Sequence, residues 1–534
     1  MHSMAYCSYG NLHASVPYKM GIPRLTCLPY LPIQLIESYT SLTKKRDRHS
    51  AMSDPAFEER SARFLHWFEA LPGASFHADI EIQDLRKSGR GRGIVAKTNI
   101  PEDTVLFTIP RAAIISTQTS DLAKRIPDVF TTTVLDDADG EADDDDGATT
   151  GPPGNWVSLI LVMIYEYLQG ERSRWQRYFD VLHTEFDTLM WWSNKELDWL
   201  QASSIVAKIG KDDADSMFRA RILPIIEKNP DVFYPEGSRT LSEDELILLA
   251  HRIGSTIMAY AFDLENDDEE ADQEEEDEWV EDREGKVLMG MVPMADILNA
   301  DAEFNAHVNH EEDSLTVTAI RPIAAGQEIL NYYGPLGNGE LLRRYGYTSV
   351  HHARYDVVEL SWDLVMSALK QTLAIGDGVW GKASAELDPE EVEDAFVIDR
   401  DLEEPDSRGE FHGPKALKGL PEDLREQINA ILKAIRKLNP ETIPDKQKRD
   451  EICFSAMRSA FELKLAEYPT STDDDAKLLS SNAVWGRLGM ALFVRYGEKL
   501  LLQEAISLAN EKINGLAASQ GEDTQPSAKR LRTK

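Results

Sequence analysis

The chain has 534 residues, 42% of them hydrophobic, and a formal charge of −36 at pH 7. That length exceeds one ordinary hydrophobic core, so two or three structural units are expected. The charge excludes a protein that grips phosphates through clustered Lys and Arg, and it favours basic protein partners.

Cys7, Cys27 and Cys453 stand apart with no CxxC pair. This argues against a structural zinc cluster and a disulfide framework, and fits a reducing compartment. Residues 1–52 lack periodicity and end near the basic run Lys44, Lys45, Arg46, Arg48. They read as a disordered extension outside the fold, with a transit peptide as the lesser alternative. An amphipathic helix pattern follows in Phe57, Phe64, Trp67, Phe68 and Leu71.

Residues 93–109 read as strand, turn, strand: Ile94 and Val95, a break around Pro101, then Val105, Phe107 and Ile109 at alternate positions. Two acidic loops, about 134–154 and 263–286, cannot bury apolar surface and are solvated; attraction of a cationic substrate is their functional alternative. The apolar stretch 156–168 holds Ser158 and Glu166, falls short of a membrane span, and predicts a buried helix capped by Asn155 and ending at Gly170. Ser242 with Glu245 forms a capping box for the next helix. A second hairpin-like unit follows, with Leu315, Val317 and Ala319 alternating before a turn at 322–326 and Glu328, Ile329, Leu330.

From about Ser361 the spacing is helical over 364–374, Glu422–Leu438, 450–467 and 476–515, and strand signals vanish, which predicts a separate helical domain. Residues 517–534 end in Lys529, Arg530, Leu531, Arg532, Thr533 and Lys534, resembling a nuclear import signal, with an ordinary disordered terminus as the equal alternative.

Three segments carry chemistry: residues 89–96, 291–300 and 328–334. The glycines of the first permit close approach to a ligand. Asn299, closing the second, has an amide able to hydrogen-bond a purine edge. Tyr332 and Tyr333, before Gly334, put one ring on each side of a strand end. His307, His310, Glu311, Glu312 and Asp313 suggest a metal hydrolase, but their spacing matches no helical zinc motif, so no metal is expected.

In this order the segments resemble the SET methyltransferases, in the group that includes the plant Rubisco lysine methyltransferases and the fungal ribosomal lysine methyltransferases of type 4. Residues 291–307 and 313–347 carry the likeness most closely, within a match covering nearly all of 55–515. The resemblance implies an α+β fold: a β-rich SET core of short strands with a pseudo-knot (53–350), a helical insertion (about 155–260), and a helical C-terminal substrate-binding domain (351–516), followed by the basic tail. It implies methyl transfer from S-adenosyl-L-methionine to a lysine ε-amine, leaving S-adenosyl-L-homocysteine, without metal.

Tyr333 matches the catalytic tyrosine. Arg90, Gly91 and Arg92 match the loop around the cofactor's methionine part, and Asn299 and Ala300 the dipeptide at its adenine. Tyr260, near the end of a helix read as 251–262, and Tyr345 match further cofactor contacts. Trp156, Ala261 and Asp263 fall where the family meets the substrate peptide. The family commonly reads Asn-His where this chain has Asn299-Ala300, so an imidazole is missing there, and a catalytically weak binding module is the rival reading. The expected partner is a basic protein, a ribosomal one first and a histone or other nuclear protein second. No nucleic acid or membrane contact is expected, and the reading is of a monomer in the nucleus and also the cytoplasm.

Overall fold

The computed structural model describes residues 55–130, 155–264, 288–387, 392–400, 405–413, 415–417, 419–481 and 484–522. The N-terminal extension, the basic run at its end, most of both acidic loops and the final basic cluster lie outside the described residues.

Helix α1 (Pro55–Glu69) buries Phe57, Ser61, Phe64 and Phe68, a single stripe at helical spacing. Eight short strands then build two sheets. In one, the order is β1 (Ser75–Phe76), β4 (Val105–Pro110), β9 (Ser314–Ala319), β8 (Ala306–His310); in the other it is β2 (Ile80–Asp84), β3 (Arg92–Ala96), β10 (Glu328–Asn331), β7 (Asn299–Ala300). The two strand-turn-strand units seen in the sequence are real, but neither closes as a hairpin. β3 pairs with β10, setting Ile94 opposite Ile329, while β4 pairs with β9, setting Phe107 opposite Val317. Their turns meet at a bridge between Ile100 and Ile323. Alternation marks the face a strand buries and is silent on its partner. It also fails at Val105, which is 46% exposed beside buried Phe107 and Ile109, because an irregularity in register separates Val105 from Phe107.

β7 runs parallel to β10, with Asn299 opposite Leu330 and Ala300 opposite Asn331. This pairing brings the second and third motif segments side by side. Helix α2 (Asn155–Gln169) buries residues on every side from Val157 to Glu166. Glu166 is tolerated there because Ser120 Oγ donates to its Oε1 (2.6 Å) and Ser173 Oγ to its Oε2 (2.7 Å). Among the described residues no helix is long and apolar enough to cross a membrane. Helix α3 (Glu243–Tyr260) starts at the Ser242 capping box and stops at Tyr260. The helical reading through residue 262 is therefore corrected: β5 (Ala261–Leu264) begins at once and pairs with β6 (Leu288–Met291).

After α4 (Asn338–Tyr345) the chain enters a second body of helices: α5 (Trp362–Thr372), α6 (Glu422–Leu438), α7 (Lys446–Ala466), α8 (Thr472–Ser480) and α9 (Gly486–Glu522). Two departures from the sequence reading occur here. The helix read over 476–515 is broken between α8 and α9, and β11 (Val358–Ser361) pairs with β12 (Ala395–Ile398) where no strand was expected. Four-residue strands carry too little periodicity to stand out among helices. One core runs from Phe64 to Ile329 and another from Val358 to Ala509.

The two bodies join through Leu189, Trp192, Leu200 and Ile205 of the insertion, Leu342 of α4, and Ala491 and Val494 of α9. A polar tie lies beside them: Ser203 Oγ donates to Glu498 Oε1 (2.6 Å) and Tyr468 OH to Glu498 Oε2 (2.8 Å). Burial pushes the Glu498 carboxyl from about 4.5 up to about 7. The folded chain thus holds a proton there that the unfolded chain has released, so stability falls as pH rises through that window. Glu498→Gln, which cannot ionise, should lessen the dependence of the urea midpoint on pH between 5 and 8; an unaltered slope would contradict the burial argument.

Candidate active site

The loop before β3, the insertion, the end of α3, β7, and the segments after β10 and α4 enclose a cavity of about 2160 Å³. Its glycine loop is shaped by backbone conformation. A 3-10 turn (Arg86–Ser88) ends at Gly89 (φ 78°), Gly91 follows at φ +71°, and the chain doubles back so that Leu85 N donates to Gly91 O (2.7 Å) and Arg90 N to Leu85 O (3.1 Å).

Gly93 lies where three side chains approach closely. A Cβ there would sit 2.4 Å from Leu85 Cδ1, 2.6 Å from Glu328 Oε1 and 3.0 Å from Asn299 Nδ2. Asn299 Nδ2 donates to Arg92 O (3.0 Å) and Glu328 Oε1 (2.6 Å), while the Arg90 guanidinium pairs with Glu328 Oε2. The Asn299 amide nitrogen is therefore occupied, and Oδ1 is the atom left to accept from a ligand. Gly93→Ala should displace the Asn299–Glu328 pair and weaken binding of the cofactor that the sequence resemblance implies by about tenfold or more, the equivalent of one lost hydrogen bond to a charged group. Calorimetric titration of the variant checks it, and affinity equal to the parent's would show that the pair is not needed.

The Arg92 side chain has its own partners within the fold. Its Nε donates to Ser61 Oγ (2.9 Å), its Nη1 to Val181 O (2.7 Å), and its guanidinium lies 3.9 Å from the centre of the Phe57 ring. Desolvation, with Arg60 and Arg86 nearby, lowers it to about 10, so it remains a cation at neutral pH. It ties α1 and the insertion to β3 and contributes a backbone carbonyl and a fixed charge to the site.

Aromatic rings make the opposite wall. Tyr333 stacks on Tyr345 (centroids 4.5 Å apart, 14° between planes), and its hydroxyl donates to Leu298 O (2.9 Å). Tyr347 OH donates to Ala300 O (3.3 Å), so the alanine takes part through its carbonyl. Tyr260 stacks on His183 (5.7 Å, 15°). Burial raises the Tyr333 and Tyr260 phenols and pushes Tyr345 up to about 12. All three hold their protons at physiological pH.

Arg90, Gly91, Arg92, Tyr260, Asn299, Ala300, Tyr333 and Tyr345 all line this one cavity. Trp156, Ala261 and Asp263, the expected substrate contacts, are not among its lining residues. Trp156 packs toward Gly254 of α3, whereas Ala261 and Asp263 lie on β5 opposite Met291 and Met289. The change from helix to strand after Tyr260 carries the following residues off the cavity wall.

Sequence reasoning passed over Glu328, the shared acceptor of Asn299 and Arg90, although it begins the third motif segment. It also passed over Asp296 and Tyr178. Tyr178 OH donates to Asp296 Oδ2 (2.5 Å), and burial pushes that carboxyl up to about 7. The pair holds a turn entered through Met294 at φ 84°, a strained value for a side-chain-bearing residue. That turn leads directly to Leu298 and Asn299. Arg487, at the start of α9, also lines the cavity; its Nε donates to Asp187 Oδ1 (3.0 Å) and its Nη2 to Phe186 O (3.0 Å).

A family model described as the SET domain matches residues 91–334, a span bounded by two glycines of these motifs. Ribosomal lysine N-methyltransferase 4 of Saccharomyces cerevisiae is 33% identical over 322 residues, 59% of this chain and 61% of that protein. The chain thus aligns with about three fifths of the yeast relative's length. The human N-lysine methyltransferase SETD6 is 28% identical over 455 residues, 79% of this chain and 85% of that protein. Among solved structures, the SET domain of LSMT bound to lysine and AdoHcy superposes with a TM-score of 0.56 at 18% identity, covering 86% of this chain and 93% of that one. Rubisco LSMT bound to sinefungin and monomethyllysine gives 0.56 at 18%, covering 90% and 98%. At that identity the structural likeness is one of fold. The glycine loop, Asn299 and Tyr333 are gathered in one cavity inside the span that matches the SET domain, and over that span the chain is similar to lysine methyltransferases of that family.

Proposed function

We infer that this protein transfers a methyl group from S-adenosyl-L-methionine to a lysine ε-amine of a second protein, and that the second protein is ribosomal. The observation that carries the reaction is the Tyr333 hydroxyl, anchored on Leu298 O and stacked on Tyr345, in the same cavity as Gly91 and Asn299.

The residues present fit the cofactor. Gly91, at positive φ, leaves its cradle free of a side chain, Asn299 Oδ1 is an acceptor for an exocyclic amine, and three tyrosines give the cavity aromatic walls. When bound, S-adenosylmethionine supplies a methyl carbon activated by an adjacent sulfonium. The transfer is an in-line displacement, so the protein's main service is alignment. A free lysine, with a pKa of about 10.4, is mostly protonated at neutral pH and cannot attack. Walls formed by Tyr260, Tyr333 and Tyr345 disfavour the ammonium and lower that value. Because the Tyr333 proton is held by Leu298 O, its oxygen lone pairs are left to accept an N–H of the incoming amine and direct its own lone pair.

The ribosomal assignment is supported by the yeast relative's name and by the chain's formal charge of −36, which suits a basic substrate. The full chain should be incubated with labelled S-adenosylmethionine and, separately, with stripped ribosomal proteins and core histones, and the label located by mass spectrometry. Label on a ribosomal lysine is expected. Label on histones alone would overturn the substrate, and no label in either would overturn the activity.

A further inference from the structure

His183 is a polar side chain in the cavity to which none of the reasoning above gives a task. It lies on the insertion, just after Val181, whose carbonyl accepts from Arg92 Nη1 (2.7 Å); this bond pins the segment to β3. On one side the imidazole stacks on Tyr260, 5.7 Å between centroids and 15° between planes. On another it meets Gly91 so closely that a Cβ there would stand 3.0 Å from Cε1 and 3.7 Å from Nε2. The ring is accessible through the cavity. Neither ring nitrogen has a hydrogen-bond partner among the described residues.

We propose that His183 binds the methionine end of S-adenosylmethionine, clamped between Tyr260 and Gly91 with its ring nitrogens turned to the ligand's amino-acid group. This rests on the methyl-transfer reading. A neutral imidazole offers one donor and one acceptor, which suits a zwitterion carrying both an ammonium and a carboxylate. It must also stay neutral beside a sulfonium, and the surroundings favour that state: desolvation and the Arg92 charge hold His183 below its ordinary value. The charged and titratable groups facing it are Arg92 from β3 and Tyr260 from α3, and Gly91 adds none. Protonation would set an imidazolium against both Arg92 and the sulfonium. S-adenosylhomocysteine, whose sulfur is an uncharged thioether, escapes the second repulsion.

The test is calorimetric titration of the full chain with each ligand at pH 8 and at pH 5, well below the ordinary imidazole value, for the parent and for His183→Phe, which keeps the stack on Tyr260 and removes both nitrogens. His183→Asn serves as the conservative variant that restores one donor and one acceptor. At pH 8, His183→Phe should bind both ligands about tenfold more weakly, as for one or two lost hydrogen bonds, with an unaltered melting temperature, and His183→Asn should recover part of the loss. At pH 5 the parent's affinity should fall more for S-adenosylmethionine than for S-adenosylhomocysteine, a difference absent in His183→Phe. Parent-like binding of both ligands by His183→Phe at both pH values would overturn the role of His183 alone. A parent chain that binds neither ligand would overturn the methyl-transfer reading together with this one.

Discussion

Tyr333→Phe should lower the rate of methyl transfer by about 100-fold or more, the scale on which misplacing a reacting group by an ångström acts, while S-adenosylmethionine binds nearly as before. The ring that stacks on Tyr345 is retained, so the aromatic wall survives. What disappears is the oxygen that receives the amine, together with the donor to Leu298 O. The orphaned carbonyl should lower stability modestly, by about 1–3 kcal/mol. Single-turnover rates with saturating cofactor separate the two effects, and a variant with full transfer would refute the assignment of Tyr333. Since burial raises the Tyr333 phenol, its own titration should not shape the rate at physiological pH.

The second large effect is expected far from the chemistry. Asp475 of α8 is fully buried and receives Arg495 Nη2 on Oδ1 (2.7 Å), and Arg495 Nε (3.0 Å) and Lys499 Nζ (2.6 Å) on Oδ2. Lys499 is itself fully buried and also donates to Thr470 O (2.7 Å). Burial alone would raise the Asp475 carboxyl, but the two cations hold it below its usual range. Its contribution is therefore present at neutral pH and lost only as the pH falls into the acid range. Asp475→Ala removes the one carboxylate shared by both cations and should cost about 3–5 kcal/mol, as for other buried pairs broken from one side. Urea unfolding measures it, and a loss below about 1 kcal/mol would show that Arg495 and Lys499 find other partners. The same break loosens the junction of α8 and α9 that carries Arg487 to the cavity, so cofactor affinity should fall with stability.

Much of the site was legible in local sequence. The glycine loop, the segment ending in Asn299 and the tyrosine pair were each visible as short strings whose residue types suit a ligand pocket. Helices such as Glu422–Leu438 were set by apolar spacing, and α3 was marked by its Ser242–Glu245 cap. Other features were hidden because they depend on partners distant along the chain. Nothing near Arg92 shows that its guanidinium reaches Ser61 and Val181, and nothing near Glu328 shows that it binds Asn299 and Arg90 together.

The sequence by itself determined the longer helices, the alternating strands and which strings carry chemistry, because hydrophobic period, capping and side-chain type are local properties. Only the tertiary structure decided that β3 meets β10 and β4 meets β9, that Trp156, Ala261 and Asp263 stand off the cavity, and that His183 stands in it. Those outcomes depend on which buried faces fit one another across hundreds of residues, and no local pattern encodes that fit.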